Sequence, residues 1–161
     1  MPLDAPYHAP MAPLLDRPEN AGALLFLSHG RPADESGFGP PSPGIDRGHL
    51  GSNPAVVDYL WDTLNAALAT DARWLVFDSA ALVHQASGVI LAVAIGTQYA
   101  LRLVPESRAA AVASGAEVMH IFTSVGTALD LASTFGPDWV FGSRDEREPT
   151  WIRASYETFG R

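Results

Sequence analysis

The sequence predicts an α+β domain in which an antiparallel β-meander sheet is packed by about three helices. Three observations carry this. Apolar runs across residues 73–104 are joined by turns too short for a parallel crossover. A segment opening at Asn53 repeats its apolar residues at helical spacing. The chain of 161 residues, 47% hydrophobic, is long enough to bury one core without staples.

The elements follow in order. Residues 1–21 repeat proline without periodicity and predict an extended, mobile, disordered leader; residues 22–161 then form the single α+β domain. Residues 23–28, ALLFLS, have the length and apolarity of a buried strand. Residues 30–53 are rich in glycine, proline and serine, and predict a long loop with neither helix nor ladder, a class of loop that is a lid, a binding loop or a linker.

Asn53 before Pro54 is an N-cap with proline at the first helical position. Val56, Val57, Leu60, Trp61, Leu64, Ala67 and Leu68 make one stripe, with Asp58, Asp62 and Asn65 on the other face. Strands are expected over 73–77, 81–84, 89–94 and 97–104, with turns at Asp78-Ser79, at 85–88 and after Ile95. Residues 105–114 open on Pro-Glu and stop at Gly115, predicting a helix. Short strands are expected over 117–122, 128–131 and 139–141, and a closing helix over 149–159 with Trp151, Ile152, Ser155, Tyr156 and Phe159 as its packing stripe.

Composition excludes whole classes of chemistry. Cysteine is absent, so there is no disulfide framework, thiolate metal site or cysteine nucleophile. All ten basic residues are arginine, which removes the phosphate-loop lysine, the kinase strand lysine and any Schiff base. A net charge of −8 with singly scattered arginines argues against nucleic acid and anionic lipid as partners. No apolar run reaches the roughly 20 residues needed to span a bilayer, and the first residues do not read as a signal peptide, so no membrane partner and a cytoplasmic location are expected. No cofactor is implied.

Candidate residues remain. Ser28 and His29 are neighbours on a predicted strand and point apart, so they are not a nucleophile and base; no G-x-S-x-G elbow occurs. The five histidines include no pair at ligand spacing, so no metal site is expected. His84 and His120 sit on predicted strands and read best as isolated, hydrogen-bonded side chains, with convergence on Asp78 or Asp130 as the sharper reading. Arg102, in mid-strand on one face with Gln98 and Ala100, either clamps a carboxylate or phosphate or bridges to an acidic residue at an exposed face. Trp139, Trp151 and Tyr156 read as core aromatics or as partner anchors. The run from Arg144 to Glu148 reads as a solvated turn.

Two resemblances follow from particular residues. Leu24 to Gly30 resembles the first strand of Toll/interleukin-receptor domains, but the meander that follows does not continue their alternating βα pattern, and no residue is carried over. Residues 80–84, 87–90, 96–106 and 136–142 together resemble a group of small uncharacterised bacterial proteins; that resemblance implies one fold unit and no activity.

The leading functional expectation is a non-catalytic binding or regulatory module for a protein partner or small molecule, with Arg102, His84, Trp139, Trp151 and Tyr156 as its contacts. The alternative is a small hydrolase or transferase whose site lies under the 30–53 loop, with His29, Asp34, Glu35, Asp46 and His49 supplying acid and base. A third reading is an assembly subunit, a homo-oligomer, that uses the leader as an arm.

Overall fold

The computed structural model of the chain describes residues 17–28, 37–117, 120–122, 128–130 and 135–159. Its frame is a five-stranded antiparallel sheet in the order β1-β2-β3-β4-β7, built from β1 (Arg73–Val76), β2 (Ser79–His84), β3 (Val89–Ile95), β4 (Gln98–Arg102) and β7 (Trp139–Phe141). The first four strands are the expected meander, each paired with the one before it. A second, two-stranded antiparallel ladder joins β5 (His120–Phe122) to β6 (Ala128–Asp130), and its backbone register sets His120 opposite Asp130.

Turn chemistry accounts for the tight connections. Phe77 and Asp78 both take positive φ between the paired Val76 and Ser79, the geometry whose twist matches a two-residue hairpin. Phe77 tolerates it because its ring is buried, edge-on to Phe38 at 4.7 Å. Gly96, at φ +59, makes the β3–β4 turn, and its carbonyl accepts a 2.8 Å hydrogen bond from Asn53 N–H. That bond anchors the start of the next layer.

Four helices flank the sheet: α1 (Ala21–Ser28), α2, α3 (Pro105–Ala113) and α4 (Glu148–Phe159). α2 is composite, an α turn over Pro54–Asp58, a π segment over Tyr59–Leu64 and a 3-10 turn over Asn65–Ala67. Asn53 caps it as the sequence predicts, its side chain accepting from Ala55 N–H. The predicted stripe is buried: Val56, Val57, Leu60, Trp61 and Leu64 pack on one face of the sheet with Leu82, Leu91, Leu101 and, from α4, Trp151 and Ile152. Ala23 and Leu27 of α1 pack on the other face, against Trp74, Val83, Ile90, Trp139 and Phe141. A fully covered central sheet explains why β3 is apolar on both faces.

Three expectations are corrected here. Residues 23–28 form helix, not strand: a six-residue apolar run carries no period that separates the two, and the turn Pro18–Asn20, with proline at its start, leads the chain into α1. The predicted leader lies outside the described residues up to 16, while Arg17 to Ala21 are built into the fold, with Asn20 wholly buried. The 30–53 loop does carry structure in its described part. Gly39 bridges to Leu75 on the outer edge of β1, and Arg47–His49 form a 3-10 turn.

Among the described residues, no helix is long and apolar enough to cross a membrane.

Candidate functional site

β1 is an edge strand, and the described loop residues lie along it. Gly39 and Leu75 exchange both backbone hydrogen bonds, at 3.2 and 2.6 Å, and Asp78 N–H donates to Gly37 C=O at 3.0 Å. This closes an edge that would otherwise template further pairing. Beyond the bridge the chain turns at 42–45, where Ile45 N–H donates to Ser42 C=O and Gly44 takes φ +74. The loop stands away from the body there and leaves a cleft of about 340 Å³. Pro41, Ser42, Pro43 and Gly44 form one wall; Ile45, Arg47, Trp61 and Arg73 form the rest.

The cleft is chemically specific. Arg47 Nη1 donates to Asp58 Oδ1 at 2.6 Å and to Asp62 Oδ2 at 2.9 Å, and Nη2 donates to Asp62 Oδ1 at 3.2 Å. Asp58 and Asp62 stand one turn apart on α2, so both reach the same guanidinium, which also lies over the Trp61 ring at 5.3 Å. Trp61 is held in turn by its own Nε1–H, which donates to Ala81 C=O at 3.0 Å. Arg73 is gripped by Asp71 through two parallel bonds, Nε to Oδ1 at 2.9 Å and Nη2 to Oδ2 at 2.7 Å. The hydrogen bonds that Arg47 donates to Asp62 and Asp58 raise its pKa, those that Arg73 donates to Asp71 raise Arg73, and the same bonds lower Asp71. Both guanidiniums are therefore fixed in place and charged, while among the described residues no carboxylate or imidazole lines the cleft itself.

The residues proposed for acid–base work do not assemble there. Asp46 Oδ2 and His49 Nδ1 lie 2.9 Å apart, with side chains 66% and 83% exposed, and Asp46 also caps the turn by accepting from Gly48 N–H. They are surface groups beside the cleft, because a 3-10 turn points them outward. His29, Asp34 and Glu35 lie outside the described residues.

Of the residues proposed as ligand or partner contacts, Arg102, Trp139 and Trp151 are buried, and His84 and Tyr156 are partly exposed. Arg102 is 3% exposed, not at a wet face. Its Nε donates to Ile90 C=O at 2.9 Å, Nη2 donates to Glu19 C=O at 2.5 Å, and the guanidinium lies 4.9 Å over the Trp139 ring. Burial lowers its pKa to about 10, well above neutrality, so it stays charged at pH 7. The exposed face is not found, because α1 and the preceding turn cover this side of the sheet, but the expected bridge to an acidic residue is, with Arg102 Nη1 3.7 Å from Asp138 Oδ2. Trp139 is fully buried and packs edge-on to Phe135 at 5.0 Å. Trp151 is in the opposite core under the Arg147 guanidinium. His84 accepts or donates at Nδ1 to Ser87 Oγ, 3.0 Å away, and lies against the Tyr156 ring; burial lowers its pKa. The Tyr156 hydroxyl pairs with Thr70 Oγ1.

One buried cluster escaped the sequence reading. Glu148, in the run expected to be a solvated turn, is 1% exposed. Its Oε1 accepts from Tyr59 Oη at 2.7 Å and Tyr99 Oη at 2.6 Å, and its Oε2 accepts from Ser143 N–H at 2.9 Å. Arg144 N–H donates to Tyr99 Oη, and its guanidinium lies 4.4 Å over the Tyr59 ring. The prediction failed because a mixed-charge run fixes composition and not direction; the first residue of α4 turns inward. Burial, then the Glu148 carboxylate, push both phenols up, so they stay protonated. The cluster joins α2, β4 and α4, and its donors and acceptors satisfy one another.

No protein-family model matches the chain, and neither the curated proteins nor the solved structures include a significant match to it. The fold and the cleft thus define an α+β domain with a two-arginine cleft under a proline- and glycine-rich loop. A signal for that cleft was present in the sequence: an arginine in the loop and two aspartates four apart on the outer face of the next helix.

Proposed function

We propose that this protein is a non-catalytic binding module that takes a small molecule in the cleft between residues 41–47 and the body of the fold. The observation that carries this reading is the lining. Arg47, Arg73, Trp61, Ile45 and residues 41–44 line a concave, mixed polar and apolar cleft of ligand size. Among the described residues its titratable groups are arginines, which hold their protons across the working pH range and offer no general base. The cleft is preformed, since the Gly39–Leu75 bridge and the Arg47 ion pairs fix both of its sides before any ligand arrives.

Native mass spectrometry of the purified full-length chain tests the proposal when run beside Ser42→Trp, which places an indole at the cleft wall. A small molecule retained by the wild type and lost from the variant is the expected result. A small molecule retained equally by both would move the site elsewhere, and turnover of a retained molecule would replace binding by catalysis.

A further inference from the structure

The donors left over in the cleft say what kind of molecule it selects. Arg73 gives Nε and one Nη2 proton to Asp71, so both Nη1 protons and the second Nη2 proton have no acceptor among the described residues. Arg47 gives both Nη1 protons and one Nη2 proton to Asp58 and Asp62, which leaves Nε–H and the other Nη2 proton without an acceptor among the described residues. The two guanidiniums line one cavity and are close enough that the Arg47 charge opposes that of Arg73. An acceptor placed between them would relieve that repulsion and use donors that no described residue takes up.

The charge balance narrows the acceptor. Three aspartates already face these two arginines from behind, and the whole chain carries −8. Three aspartates against two arginines leave no net positive charge. The cleft therefore holds a ligand by directed guanidinium hydrogen bonds and not by potential, and each further negative charge on the ligand adds repulsion, which disfavours a polyanion. The planar geometry of guanidinium matches a carboxylate in particular. Pro41, Pro43, Ile45 and Trp61 supply apolar contact around it.

Resting on the reading of the cleft as a binding site, we infer that it selects a small monocarboxylate carried on an apolar body, with Arg73 and Arg47 as the carboxylate donors. The experiment is isothermal titration of the full-length chain with benzoate, with its neutral isostere benzamide and with inorganic phosphate, on wild type, Arg73→Gln and Ser42→Trp. Arg73 makes its side-chain bonds to Asp71 at the surface, so Arg73→Gln keeps the fold, and a thermal melt verifies this.

Benzoate is expected to bind more tightly than either other probe and to lose about tenfold or more in affinity in Arg73→Gln, with benzamide unchanged. Benzamide binding as well as benzoate in the wild type, and lost in Ser42→Trp, would overturn the carboxylate assignment while leaving the cleft as the site. Phosphate binding most tightly would overturn the single-charge argument. Binding of benzoate unaffected by both variants would overturn the cleft reading itself, and no binding of benzoate by the wild type would overturn the inference.

Discussion

Asn20 and Arg102 divide between them the two backbone polar groups of Ile90. Asn20 Oδ1 accepts from Ile90 N–H at 2.9 Å, and Arg102 Nε donates to Ile90 C=O at 2.9 Å. The β3–β4 ladder reaches only to Ala92 and Leu101, while β4 pairs with β7 along its other edge from Ala100 to Arg102. The two side chains replace the missing ladder bonds. Asn20 Nδ2 also donates to Gly88 C=O at 2.7 Å, so the carboxamide reads the strand as another strand would.

Asn20→Ala is therefore expected to destabilise the fold by about 2–3 kcal/mol, since it orphans a buried N–H and removes a partner from a buried C=O. Urea denaturation measures this. A loss below about 0.5 kcal/mol would mean that the segment before α1 is not part of the folding unit.

Glu148 serves three donors at once, and its loss should be the costliest of the polar substitutions. Glu148→Ala is expected to cost about 3 kcal/mol or more, because two phenols and Ser143 N–H lose their acceptor in a buried place. Glu148→Gln keeps one acceptor oxygen and should cost less, but it turns an amide N–H₂ toward a donor. The ranking Ala worse than Gln, measured by chemical denaturation, checks the direction of these bonds.

The same cluster makes stability sensitive to alkali. The folded-state pKa values of Tyr59 and Tyr99 are raised above the ordinary phenol value near 10, so their contribution is fully present below pH 10 and is lost as pH rises beyond it. The slope is at most about 1.4 kcal/mol per pH unit for each phenol, and less for the half-buried Tyr59. Arg102 works in the opposite sense, since its lowered pKa makes its burial cost fade above about pH 10. The informative comparison is thus wild type against the double variant Tyr59→Phe/Tyr99→Phe, which share Arg102. The variant should show the flatter alkaline limb in denaturation curves between pH 9 and pH 11.

The buried tryptophans separate by whether the indole N–H is used. Trp61 Nε1 donates to Ala81 C=O, while Trp74 Nε1 and Trp139 Nε1 find no acceptor among the described residues. Trp61→Phe should cost roughly 1–2 kcal/mol more than Trp74→Phe, because only the first change leaves a carbonyl without its donor. Thermal melts of the two variants give the comparison.

Legibility in the sequence followed local signals. The α2 stripe was readable because Asn53-Pro54 and the apolar spacing from Val56 to Leu68 all point to helix, and the meander because its turns are too short for anything else. Residues 23–28 were not, since ALLFLS fits strand and helix equally and only the packing of Ala23 and Leu27 on the sheet decides. Arg102 and Glu148 were misplaced for one shared reason: a charged residue is exposed unless several distant partners converge on it, and convergence is a tertiary fact. Arg102 draws on Glu19 and Ile90, and Glu148 on Tyr59 and Tyr99, all far away in the chain. The cleft was half legible. The 30–53 loop stood out by composition, but its assigned chemistry went to Asp46 and His49 and not to Arg47 and Arg73.

The measurement that bears most directly on the cleft is a fragment screen on the ¹⁵N-labelled full-length chain, read at the four tryptophan indole resonances. Trp61 lines the cleft, whereas Trp74, Trp139 and Trp151 do not. Binding fragments are predicted to move the Trp61 signal and leave the other three in place; fragments that move those three and spare Trp61 would contradict the assignment of this cleft as the binding site.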